Sequence, residues 1–286
     1  MNLVHFPEKP AFFIHTQIKS ILIEIIKRNN VNIIGSGEKI ILFAHGFGCS
    51  QAAWKRITPS FAKEYKLILF DYVGAGKSDI SAYNKTRYST LDGYAKDILE
   101  ICDSLQINDA IFVGHSVSAI IGALASIQAP SVFSKLIFIG PSACYLNDDL
   151  YKGGFEQEEI DALLEIMDDD FINWAKIMSP QIMGNPEKPE LAAEMENNFC
   201  TTDQEILKDF ARVTFLSDNR KDLPHIPVES LTLQCTDDMV APSDAGKYIY
   251  ENAPNNTMVV LEATGHCPHM SAPEETVSVI KNYLNK

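Results

Sequence analysis

The sequence predicts an α/β fold, a mostly parallel sheet flanked by helices, with a helical lid inserted late in the chain. Three observations predict it. Apolar runs that do not alternate with polar residues, at 40–44, 65–70, 111–113 and 135–140, are separated by helix-period stretches, the pattern of parallel strands covered on both faces. The segment 111–118, IFVGHSVS, leads a strand into a glycine-flanked serine and on into helix-forming residues as far as Ala125. That is the order of a nucleophile elbow, which holds a serine at a strained strand-to-helix turn with its hydroxyl exposed. Strand signals then stop between Pro141 and Asp222 and return at 230–235 and 257–262, so the sheet closes after the insertion.

Taken in order, residues 1–20 form an unassigned arm. Ile14, Ile18, Ile21 and Ile25 have helical spacing, whereas the β-branched run 21–26 suits a strand. The core is expected over 21–140 and 223–286. A strand at 31–34 and a turn at Gly35, Ser36 and Gly37 precede the apolar run 40–44, which ends in His45, Gly46, Phe47 and Gly48. Residues 54–62 read as helix, 65–70 as a buried strand, and Asp71 opens a glycine-rich turn. Apolar residues at 91, 94, 98, 101 and 105 predict a helix that delivers the chain to the elbow strand. In the insertion, 141–222, acidic helices are expected at 156–167, 171–178, 190–198 and 203–216, with Pro180, Pro186 and Pro189 as breaks. Most of its large apolar side chains serve a helical core. Phe155, Trp174, Met178, Phe199 and Phe215, with Phe47 of the early loop, are the candidates to line a pocket beneath a lid. A helix at 274–285 ends the chain.

Composition narrows the function. With 24 Lys and Arg against 38 Asp and Glu, the net charge is −14, which argues against a nucleic-acid backbone as partner. The six cysteines are scattered without a C-x-x-C pair, and the grouping of His266, Cys267 and His269 lacks a fourth ligand and metal spacing. No metal or cofactor is expected. Lys19, Glu24 and Lys27 interrupt the N-terminal apolar residues, and no run is long enough to span a bilayer; a cytoplasmic protein with reduced thiols is the expectation. Gly74, Ala75, Gly76, Lys77 and Ser78 imitate the end of a phosphate-binding loop, but Asp71 stands where that loop needs glycine and would repel phosphate. The stretch reads as a structural turn.

A serine nucleophile needs a base, and the base an orienting acid. Two late strands each end in a suitable loop: Asp237 and Asp238 follow the first, and His266 and His269 follow the second, in the chain order Ser, Asp, His. His266 directly follows Gly265 at the strand end, whereas His269 lies beyond Pro268 and reads as structural. The oxyanion would be held by the backbone N–H groups of Val117, after the nucleophile, and Phe47, after the early strand. The elbow departs from G-x-S-x-G, since Ser118 replaces the second glycine. Serine is the next smallest side chain, so the motif is weakened and not lost.

Several segments carry a family resemblance: HGFGCSQ at 45–51, ILFDYVGAGKSD at 68–79, YSTLDGYA at 88–95, GHSVSA at 114–119, GPSACYLND at 140–148, FLSDNR at 215–220 and GHCPHMS at 265–271. The chain resembles the α/β-hydrolase superfamily, and within it the RsbQ-like bacterial stress-response regulators and the plant karrikin and strigolactone receptors. The spacing of Asp238 from Pro242 resembles the family's acid loop and selects Asp238 over Asp237. The resemblance implies a hydrolase scaffold with an enclosed hydrophobic pocket, used in signalling, with a PAS-domain phosphatase as protein partner. A metabolic esterase or carbon–carbon bond hydrolase without a partner, and a binding protein with an idle triad, are the competing classes.

Overall fold

A computed structural model describes residues 23–286; the N-terminal arm lies outside them. Seven strands, β1 (Asn32–Ile34), β2 (Lys39–Ala44), β3 (Tyr65–Leu69), β4 (Ala110–His115), β5 (Phe133–Ile139), β6 (Glu229–Gln234) and β7 (Asn256–Val260), form one sheet in the order β1-β3-β2-β4-β5-β6-β7. Only the β1–β3 pairing is antiparallel. Strand β4 is central and buried along its whole length, which explains why its residues are apolar on both faces.

The two faces carry separate cores. Leu42, Ile68, Phe112, Leu136 and Phe138 pack against helices α1 (Leu91–Ser104), α2 (Val117–Gln128) and α7 (Ser243–Asn252). The alternate side chains Ile41, Phe43, Leu67, Val113 and Ile137 pack against Trp54, Phe61 and the C-terminal helix α9 (Pro273–Leu284). A short helix, α8 (Pro268–Ser271), precedes α9. Between β5 and β6 the chain forms α3 (Gln157–Asp169), α4 (Phe171–Met183), α5 (Pro189–Thr201) and α6 (Gln204–Phe215). Their inward faces make a third core that reaches down to Cys49, Tyr145 and Cys267 at the end of the sheet.

Two local expectations are corrected. The helix expected at 54–62 is a pair of 3-10 segments, Gln51–Arg56 and Thr58–Ser60, because Pro59 has no N–H to continue an α-helical ladder. Pro180 does not break its helix: α4 runs through it to a left-handed cap at Gly184. Pro180 and Lys176 both lie on the exposed side, where solvent can satisfy the carbonyl that proline leaves unpaired. The phosphate-loop imitation is a structural turn. Buried Asp71 accepts hydrogen bonds from the Gln51 N–H (2.8 Å), the Lys77 N–H (3.0 Å) and Asn30 Nδ2 (2.7 Å). A Cβ at Gly76 would strike that carboxylate.

Candidate active site

Strand β4 ends at His115 and α2 begins at Val117, so Ser116 alone makes the turn. Its backbone has φ 55° and ψ −126°, a conformation that strains any residue with a Cβ. The Ser116 N–H is tied to the Ile139 carbonyl on β5 (2.8 Å). Close packing of the elbow depends on Gly114 and Gly122: a Cβ on either would meet the Phe112 ring. Ser118 has a different use. Its hydroxyl donates to the His45 carbonyl and, its one proton spent, accepts from the Tyr72 hydroxyl at 2.9 Å. The departure from G-x-S-x-G thus ties the elbow to the loops after β2 and β3.

The late loops reach Ser116 in a chain of hydrogen bonds. Ser116 Oγ and His266 Nε2 are 2.8 Å apart, and His266 Nδ1 and Asp238 Oδ2 are 2.8 Å apart. A carboxylate accepts only, so His266 donates from Nδ1 and its bare Nε2 faces the serine hydroxyl. The other carboxylate oxygen of Asp238 accepts from the N–H groups of Val240 (2.9 Å) and Ala241 (3.0 Å), which fixes its orientation. Asp237 is exposed and contributes its backbone carbonyl to the Gly265 N–H. The His266 N–H donates to the Ile182 carbonyl of α4 (2.8 Å), and His115 Nε2 donates to the His266 carbonyl (2.9 Å). Gly265, with φ +78°, fits where a Cβ would strike the Met183 carbonyl.

The other buried histidines among the described residues, His45, His115 and His269, are scaffolding. His45 Nε2 receives the Tyr72 N–H at 3.2 Å, and burial lowers its pKa. Burial, with His269 and His266 close by, holds His115 well below the usual imidazole range. His269 is fully buried against Trp54, ring centroids 4.6 Å apart, and burial pushes it down to about 3.

Ser116 and His266 open into a cavity with about 550 Å³ of space free of atoms, counting its mouth. Phe47, Phe155, Trp174, Met178, Phe199 and Phe215 all line it. Among the described residues, none of its lining side chains is Lys, Arg, Asp or Glu. The loop of residues 45–48 passes beside Ser116: a Cβ at Gly46 would stand 3.3 Å from that of Ser116. Val117 is the first residue of α2, where a backbone N–H has no carbonyl one turn back to bond. Sequence reasoning missed Tyr145, whose hydroxyl lies 3.4 Å from Ser116 Oγ. Its signal was position, in the loop leaving β5 beside the elbow strand. Ile182 and Met195 also line the cavity, and nothing in sequence separates them from helical core residues. Among the described residues, no cluster of His, Cys, Asp or Glu could hold a metal ion, and no helix is long and apolar enough to cross a membrane.

With that geometry in place, the sequence matches the alpha/beta hydrolase family over residues 41–279. The chain belongs to that family. Among the relatives of this hydrolase, a karrikin insensitive 2 receptor of Petunia hybrida is 36% identical over 258 residues, covering 90% of this chain and 96% of the relative. A strigolactone esterase of Pisum sativum is 39% identical over 251 residues, covering 87% and 94%. A hydrolase from Oleispira antarctica shares the fold at a TM-score of 0.91 with 39% identity, covering 93% of this chain and 97% of that one. In this hydrolase the hydrogen-bonded Asp238, His266 and Ser116 fit the Ser-His-Asp triad of a serine enzyme.

Proposed function

We propose that this chain is an esterase-like serine hydrolase that cleaves or senses a small, uncharged, hydrophobic ester or lactone. The observation that carries the proposal is the hydrogen-bond chain from Asp238 through His266 to Ser116, opening into an apolar cavity. In the proposed reaction His266 Nε2 takes the Ser116 proton as Oγ attacks the carbonyl. Asp238 stabilises the imidazolium that forms, and the N–H groups of Val117 and Phe47 hold the oxyanion. His266 then protonates the leaving alcohol, and a water activated by the same imidazole releases the acyl group. We assign 141–222 as a lid over a core of 21–140 and 223–286.

The same reading extends to signalling. Relatives named as karrikin receptors and strigolactone esterases, together with the resemblance to RsbQ-like regulators, support a stress-response sensor that passes its state to a protein partner such as a PAS-domain phosphatase. The six free thiols, five of them buried, support a reducing, cytoplasmic setting. The chemistry is tested by treating the protein with a fluorophosphonate and weighing it. One adduct on the wild type and none on Ser116→Ala is expected; no wild-type adduct, or equal labelling of the variant, refutes the serine mechanism.

A further inference from the structure

Outside the triad, two residues of the cavity lining carry hydrogen-bond donors that lack a partner among the described residues. Trp174 on α4 and Thr214 on α6 both line it, and they are 3% and 1% exposed. Neither Trp174 Nε1 nor Thr214 Oγ1 has a hydrogen-bond partner among the described residues. Such atoms are rare in a folded protein, because removal from water is uncompensated. Thr214 also forgoes a local partner. A hydroxyl inside a helix commonly donates to the carbonyl one turn back, as Ser179 does to Ala175 on α4. A third unpaired atom in the lining, His115 Nδ1, is covered by Gly46, whose added Cβ would lie 2.5 Å from it. Aromatic neighbours enclose Trp174: its ring meets Phe199 at 4.9 Å, Phe171 at 5.8 Å and Phe47 at 6.3 Å.

Both groups sit on helices packed over the cavity, whereas Ser116 and His266 sit at the sheet end. An indole N–H can only donate, and a threonine hydroxyl can donate. No charged side chain lines the cavity among the described residues, so an ionised ligand would enter without a counter-charge. We infer that the ligand is an uncharged ester or lactone on a mainly hydrocarbon skeleton, with one or more oxygen acceptors apart from the scissile carbonyl that meet the Trp174 indole and the Thr214 hydroxyl. This rests on reading Ser116 as an esterase nucleophile, and it adds a second recognition point. A pure hydrocarbon acyl chain would leave both donors unpaired, which is the kind of mismatch a polar site discriminates against.

The test uses p-nitrophenyl esters of straight-chain acids of equal length, in which an ether oxygen replaces each methylene in turn. For each ester kcat/KM is divided by that of the all-carbon parent. At one or more positions this ratio is expected to fall about tenfold in Thr214→Val, the loss of one hydrogen bond. Thr214→Ser, which keeps the hydroxyl, should hold the wild-type ratio, and Trp174→Phe should lower it. Ratios unchanged by Thr214→Val at every position overturn the inference, as does an enzyme that takes the fluorophosphonate yet cleaves none of the series. Absence of fluorophosphonate labelling at Ser116 would instead count against the hydrolase reading beneath it.

Discussion

At the scale of single residues, the elbow separates strain from chemistry. Ser116 holds a positive φ that glycine would adopt freely, so the side chain is kept there against a backbone preference. Replacing it tests this directly: Ser116→Gly should be more stable than Ser116→Ala by about 1 kcal/mol, while both lose hydrolysis. Thermal or urea unfolding of the two variants reads the difference, and an alanine variant equal to or above the glycine variant would remove the strain argument. Ser118 teaches a related lesson. Its small size was foreseeable from the packing need of an elbow, but its two hydrogen bonds, to the His45 carbonyl and the Tyr72 hydroxyl, join residues far apart in the chain. No local pattern encodes them.

At the scale of elements, the helices between β5 and β6 are fitted to the loops after β2 and β3 through glycine. Gly48 has φ +68°, and a Cβ there would run into the Phe199 ring of α5; Gly74 has φ +97°, and a Cβ there would strike Ile206 of α6. Gly48→Ala is therefore expected to cost about 2 kcal/mol, part from overpacking against Phe199 and part from the backbone. With Phe199→Ala in the same chain the collision disappears, so the pair should destabilise by clearly less than the sum of the single changes. Strict additivity in thermal unfolding would show that α5 does not rest on Gly48. The helices themselves were legible from acidic, helix-forming stretches where strand-like runs disappear, and α6 matched its expected extent within a residue at each end. The path of α4 through Pro180 was not legible, because a proline is tolerated or not according to which side of the helix faces solvent.

For the whole molecule, buried neutral histidines make the fold sensitive to acid. His45, His115 and His269 are all held below their ordinary range, chiefly by burial. The unfolded chain takes up protons near the ordinary imidazole value while the folded chain refuses them. The stability they support is therefore complete above about pH 6.5 and is lost as the pH falls. For His269 the window extends down to about 3. Each such proton contributes a slope of about 1.4 kcal/mol per pH unit. Urea unfolding between pH 6 and pH 4 should show this slope, reduced by about one proton in His269→Phe; an unchanged slope in that variant would place the acid sensitivity elsewhere.

By itself the sequence determined the mostly parallel α/β architecture, the strand-to-helix turn at Ser116 and the loops that carry Asp238 and His266. In a parallel sheet the strand ends converge on one edge, so the order of apolar runs and turns already states which loops meet. The choice of Asp238 over Asp237 came from the resemblance of its spacing from Pro242 to the family's acid loop. Tertiary structure alone decided how the site is finished: Tyr145 beside Ser116, the unpaired Trp174 and Thr214 in the cavity wall, the duties of Ser118, and the neutral histidines behind His266. These depend on approaches between distant segments and on the exclusion of water. A linear pattern of residue types records which side chains are available for that, and the packed fold selects which of them meet.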